Sequence, residues 1–480
     1  MTKLKFAKRF DPNKKLSTFS ASIEFLLNDF EKGESRKTKR GKVSRQRLAS
    51  TLETIIANLF RFPPNTHYIY ITRDKTVFSS EEMKAYKITY SNFIPLINFL
   101  KQKQYIEEKS FSNDRQSKIG WRTRVRATPK LFKKCSEVSL IMVTSRNLGQ
   151  VRLKDKNKKL IPYRKTQKLV KLDKNITQLN KLLDKSFIDI CISKEEIQHC
   201  LLERDKGDTL LNSDKIKIQN SVPLGHQIDF TDKSLYRVFN NNSWSQGGRF
   251  YGGWWETIPS NLRPYIRING ASTCELDFSN LLIVMMYHEK KLDLPDYDDF
   301  YAIDGLKRDL VKTAVFILLN HNKKQLSFRE LPKGYSNEMI IEAIEEKHPA
   351  ISKLFGKAQG LRLQYKDSII AERVMLNLAN LNSDYAHSVV ALPIHDSFIV
   401  PKDNKEDLEK AMHKAYKEVM EQDGIKIKAE NLPFKTKSKS IDGVSVAEAL
   451  KDITRLKEED YYGGYFLRKA LWEDKVGYPL

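Results

Sequence analysis

The chain has 480 residues, 30% charged and 40% hydrophobic, which suits a globular protein with room for two to four cores. No run of 18 apolar residues occurs, and the opening MTKLKFAKRFDPNKK lacks an apolar leader segment, so a membrane-spanning protein is excluded and a cytoplasmic one expected. The net charge of +24 is unevenly placed: residues 1–240 carry 50 Lys and Arg against 25 Asp and Glu, and the remainder carry 34 against 35. A basic half beside a balanced half predicts a module that holds a polyanion joined to a working domain; the alternative is a solvated basic face. Cys135, Cys191, Cys200 and Cys274 show no CxxC pairing and no His at ligand spacing, so reduced thiols are expected rather than a zinc site or disulfide framework.

Residues 1–50 are basic, densest in ESRKTKRGKVSRQR from Glu34 to Arg47, and read as an arm on phosphate or as a solvated helix face. Phe93, Leu96, Ile97 and Leu100 mark a helical face. A strand begins at Tyr105 and Ile106, SNDRQS forms a turn, and Trp121 to Ala127 alternates so that Arg122, Arg124 and Arg126 share one strand face. A helix followed by a two-stranded cationic wing is the pattern of a winged-helix nucleic-acid-binding module; an ordinary α+β domain with a basic strand fits the same residues. VRLKDKNKKLIPYRK then reads as a linker or a long basic helix.

Carboxylates carry the chemistry of the second half. VALPIHDSFIVPKD sets His395, Asp396 and Ser397 at the turn between two apolar runs, and a carboxylate there must be paired or hold a metal. A partner occurs in STCELDFSNLLIVMMYHE, where Asp277 sits where a strand gives way to a helix. Two such carboxylates on neighbouring strands can share divalent ions for in-line phosphoryl transfer. Between them, LKRDLVKTAVFILLNHNKK spaces Arg308, Lys312, Phe316 and Asn320 four apart, a helical stripe about 18 Å long. Cations followed by a ring suit a nucleoside triphosphate; an amphipathic helix with basic residues in solvent is the alternative. YDDF, from Tyr297 to Phe300, reads as a polar loop.

In this order the motifs resemble the family A DNA polymerases and, more distantly, the phage-type single-subunit RNA polymerases, over Gly248 to about Glu430. LDFSNLL is similar to the first catalytic motif, RDLVKTAVF to the fingers-helix motif, PIHDSFIV to the third motif, and GGRFYGGWWETIPSNLRPYIRIN to the stretch that grips primer–template. QYKDSIIAERVMLNL would be the helix preceding the third motif. The resemblance implies an α+β fold: a right-hand palm with trimmed fingers, preceded by a basic, mainly helical region containing the winged-helix module. The implied divisions are a basic arm (1–50), the winged-helix domain (51–150), a thumb-like or linker region (151–240), palm and fingers (241–435) and a tail (436–480), which would dock on the palm or on a partner.

The resemblance also implies template-directed nucleotidyl transfer, with DNA made from dNTPs, or RNA made or primed from NTPs. A catalytically inactive winged-helix DNA-binding replication protein is the reading from another class. Asp277 and Asp396 would bind two Mg²⁺, with Mn²⁺ as a substitute. Lys312 would serve departing pyrophosphate. Arg308, Lys312, Phe316, Asn320 and Leu282 would surround the nucleotide. His395, Arg249, Arg263 and Arg267 would hold the DNA primer–template or its RNA counterpart, with Arg122, Arg124 and Arg126 supplying further phosphate contacts. Three positions depart from the DNA enzymes: Ser397 stands where they carry Glu, Leu282 where a Glu helps exclude a ribose 2′-hydroxyl, and Asn320 where they carry Tyr. Acidic exonuclease motifs are not seen in the basic half, so no proofreading is expected.

Overall fold

The computed structural model describes residues 7–18, 20–36, 38–62, 67–110, 123–136, 138, 142–146, 149–192, 228–328, 331, 334–380, 388–430 and 465–477. Helix and sheet are mixed throughout, as an α+β fold requires. Among the described residues no helix is long and apolar enough to cross a membrane. The chain forms two compact units, each assembled from separated stretches: Met1–Leu148, Phe187–Ser234 and Thr436–Leu480 in one, Gly149–Ser186 and Leu235–Lys435 in the other.

The first unit contains a four-stranded sheet in the spatial order Ala7–Arg9, Tyr68–Ile71, Thr123–Ala127, Ile106–Ser110. The first pair is parallel and the others antiparallel. Alternation makes the sheet two-faced: Ile69, Ile71, Ile106, Val125 and Ala127 enter one apolar core with residues of the helices Ala21–Lys32, Lys42–Leu59 and Tyr90–Gln102. The helix, the strand at Ile106 and the following arginine strand thus stand where the sequence placed them. The arginine strand, however, pairs on both edges, so its hairpin is part of a larger sheet and not a free two-stranded wing. Arg122 lies outside the described residues.

Within residues 1–50, the helix Ala21–Lys32 does not stand apart as an arm. Ile23, Leu26, Leu27 and Phe30 line one face of a helix capped by Ser20, whose side chain accepts from the Ile23 N–H, and that face is buried in the core. Two buried ion pairs fasten later segments into the same unit. Arg61 Nε donates to Asp229 at 2.6 Å, and Arg468 donates to both oxygens of Asp189 at 2.6 and 2.7 Å. Arg468 belongs to the helix Tyr465–Val476, whose Tyr465 and Trp472 pack with Phe187 and Cys191. The described part of the tail therefore docks in the basic unit; residues 436–464 lie outside the described residues.

The second unit holds two sheets. The expected linker at Val151 instead forms a hairpin, Val151–Lys154 with Leu160–Ile161, joined to Tyr236–Phe239 and Gly247–Tyr251. Val151 and Leu153 alternate inward, and Asp155 Oδ1 accepts from the Asn157 and Lys159 N–H groups at 2.8 Å, which closes the turn. In the other sheet, Ala271–Phe278 is central. Ser397–Pro401 runs antiparallel on one edge, and Ile266–Ile268 and then Ile427–Glu430 on the other. Leu392–Ile394 extends the sheet beyond Ser397–Pro401. The amphipathic helix Lys405–Met420 buries Leu408, Ala411, Met412 and Ala415 as expected, together with Tyr416 and Met420 rather than Val419.

Candidate active site

The central strand sets Thr273, Glu275 and Asp277 on one face and Leu276 and Phe278 on the other. Asp277 is opposite Ser397 in the ladder, and the Phe278 N–H donates to the Asp396 carbonyl at 3.3 Å. The two aspartates therefore stand side by side at the ends of adjacent strands. His395 and Asp396 form the two-residue turn of the hairpin, and His395 takes φ of 56°, a left-handed conformation that histidine tolerates better than most residues. This turn leaves His395 exposed and Asp396 half-buried at the end of the sheet.

Both carboxylates act electrostatically on a shared neighbour. The phenol of Tyr301, 7% exposed, is held well above its ordinary pKa by burial, then by the charge of Asp396, with Asp277 adding to it. Arg308 acts on the same hydroxyl with opposite sign, and its guanidinium lies 5.4 Å from the Tyr301 ring centroid. Asp277, Asp396 and the first cation of the Arg308 helix thus all act electrostatically on one tyrosine. The YDDF loop holds that cation in place: Asp299 accepts from Arg308 Nε at 2.5 Å and from the Tyr301 N–H at 2.9 Å. Asp277 itself pairs with Lys428, directly across the ladder on Ile427–Glu430, at 3.5 Å.

Arg249 approaches from the other sheet of the same unit. Gly247 and Gly248 take φ of 73° and 83°, and a Cβ at Gly248 would lie 2.8 Å from Phe239 and 2.9 Å from Ser368 Oγ, so the close passage needs glycine. The fully buried Arg237 fixes that passage. It donates to the Gly248 carbonyl at 2.6 Å, to Ser368 at 2.7 Å and to Glu372 at 2.9 Å. Arg249 Nε then donates to Asp367, one helical position from Ser368, at 2.6 Å. Burial pushes the Asp367 carboxyl up to about 6, the negative charge of Asp396 pushes the same way, and Arg249 opposes both.

The remaining expected residues divide. On the helix Arg308–Asn320, Val311, Ala314, Val315, Leu318 and Leu319 are buried, while Arg308, Lys312 and Phe316 face solvent, Phe316 at 51%. Asn320 instead donates to the Phe316 carbonyl and packs so tightly on Gly360 that a Cβ there would lie 2.1 Å from its Oδ1. Leu282 is half-buried in the first turn of Leu281–Glu289. Ser397 and Arg263 both turn to the buried Glu275, at 2.6 and 3.0 Å, so the Ser397 hydroxyl is engaged within the sheet. Arg267 donates to the Ile266 carbonyl at 3.3 Å. No described contact ties Lys312, Phe316, Asn320 or Leu282 to the aspartates. Tyr301, Asp299, Asp367, Arg237 and Lys428 were not singled out from the sequence.

Among the described residues, no group of three or more His, Cys, Asp or Glu is gathered to hold a metal ion. The donor set at the strand ends is a pair of hard carboxylates beside cations. That fits Mg²⁺, which binds through one or two carboxylates completed by substrate phosphates and water. No protein-family model matches the sequence, and no curated protein matches it. Among solved structures, the POL domain of Pol1 from M. smegmatis, complexed with DNA primer-template and dNTP, is similar with a TM-score of 0.29 and 13% identity over 43% of this chain. The match spans 48% of that structure, so this chain covers about half of its length.

Proposed function

We propose that the second unit catalyses template-directed nucleotidyl transfer, extending a DNA primer with dNTPs. The observation that carries this reading is the pair Asp277 and Asp396 on adjacent strands, both acting on Tyr301, with Arg308 beside it. Bound Mg²⁺, or Mn²⁺ in its place, would be held by Asp277 and Asp396 and would supply charge stabilisation and activation of the primer hydroxyl. The chain's own residues do the rest. Arg308 exchanges Asp299 for the triphosphate tail. Lys312, one turn further along the same exposed face, neutralises the pyrophosphate and donates its own proton to it, while the primer hydroxyl's proton passes to water. Phe316 offers an exposed ring to the incoming base. Arg249, presented by the Gly248 passage, and His395 at the hairpin turn position the primer terminus through backbone contacts that read no sequence.

The test is primer extension with Mg²⁺, four dNTPs or four NTPs, on primed and unprimed templates. The expected result is dNTP addition on the primed template, abolished by Asp277→Asn and by Asp396→Asn. Incorporation of NTPs alone, or equal activity in both variants, overturns the reading.

A further inference from the structure

The outer face of the first unit's sheet, opposite the apolar core, carries a cross-strand row whose chemistry differs from an ordinary solvated surface. Register aligns Arg9 with Tyr70, Tyr70 with Arg124, and Arg124 with Lys109, one residue from each of the four strands. At ordinary strand spacing the row spans about 14 Å. A second row places Arg126 opposite Glu107, with Tyr68 beside it. The guanidinium carbons of Arg124 and Arg126 lie 4.8 Å from the ring centroids of Tyr70 and Tyr68, and Lys109 Nζ lies 5.4 Å from Tyr68. Tyr68 is 4% exposed and lies outside the described apolar core of this unit, with the cations of Arg126 and Lys109 over its ring. Glu107 orders the layer, accepting from the Tyr68 hydroxyl at 2.8 Å and from Arg126 Nε at 2.7 Å.

Among the described residues these two rows carry four cations and one carboxylate, Glu107, which pairs with both Arg126 and Lys109; that excess of positive charge suits a polyanion, consistent with the basic balance of the first 240 residues. The tyrosine-backed guanidinium planes narrow the choice. They offer π surfaces to base faces, and only unpaired bases can lie on them, because a duplex keeps its base faces stacked inside. We infer that this face binds single-stranded nucleic acid, stacking bases on the Arg–Tyr layers while Arg9 and Lys109 meet the backbone. This site belongs to the first unit and needs neither aspartate of the second.

The test uses the whole chain in EDTA and a fluorescein-labelled oligo(dT) of about 20 nucleotides beside a duplex of the same length, read by anisotropy. Tyr70→Leu combined with Arg124→Gln is expected to weaken oligo(dT) binding roughly tenfold or more and duplex binding less than about threefold, while Tyr70→Phe retains binding. Photocrosslinking of 5-iodouracil oligonucleotide to the unaltered chain should label peptides containing Tyr68–Ile71 or Thr123–Ala127, a readout independent of any variant's folding. Unchanged oligo(dT) binding, equal weakening of duplex and single strand, or crosslinks only elsewhere overturns the inference. Asp277→Asn is expected to leave oligo(dT) binding intact, so failure of the catalytic proposal and failure of this one are told apart.

Discussion

The two units use one device to opposite ends. In each, ladder register sets charged residues of different strands beside one another. In the first unit the aligned charges are cations spread over tyrosines, a broad layer that can hold a chain in many registers. In the second they are two aspartates at strand ends, with Arg249 and Arg308 reaching in from other elements and already engaged by Asp367 and Asp299. A holding surface tolerates side chains that slide, whereas a reacting site needs each charge fixed by a partner.

The sharpest way to break this contrast is to neutralise the aspartates. Asp277→Asn and Asp396→Asn are each expected to lower synthesis by about a thousandfold or more while nucleic-acid binding changes little, read by single-turnover extension beside anisotropy. Next comes the support beneath Arg249. Arg237→Ala strands Glu372 in the interior and is expected to destabilise the second unit by about 3–5 kcal/mol, measured by urea denaturation.

Protonation gives a smaller effect. Because the folded carboxyl of Asp367 sits above its ordinary range, near 6, the fold binds its proton more tightly than the unfolded chain does. Stability from this group is present at low pH and is lost as pH rises through about 6. Asp367→Asn should remove that fall, an effect on the order of 1–3 kcal/mol, read from urea midpoints at pH 5 and pH 8. The smallest effect is expected at Lys428, which is half exposed. Lys428→Ala removes a competitor for Asp277 and should lower the Mg²⁺ concentration for half-maximal extension about two- to fivefold, measured by divalent titration.

What was legible in the sequence is what short-range pattern encodes. Asp277 at a strand end, the His395–Asp396 turn and the helix from Lys405 each follow from local pattern, and the chain adopts all three; of the four-spaced stripe Arg308, Lys312, Phe316 and Asn320, the first three face solvent and Asn320 packs on Gly360. The partners that fix those charges are long-range, and no local period announces them. Arg249 and Asp367 are 118 residues apart, Arg237 and Glu372 are 135 apart, and Lys428 meets Asp277 only through strand pairing. Asp299 hid within a loop that looked merely polar. The core helix within residues 1–50 was missed for a different reason: abundant lysine and arginine masked the spacing of Ile23, Leu26, Leu27 and Phe30, which was there to be read.

The interleaved order of the two units bears on how the chain matures at the ribosome. Residues through Lys435 complete the unit with the aspartates, whereas the basic one, begun first, must wait for Arg468 and Trp472 to reach Asp189 and Phe187. A stop codon between these points would spare the later-started unit and leave the earlier one with a buried carboxylate lacking its counter-charge. Damage at the 3′ end of the reading frame would then surface as misfolding of the segment translated first.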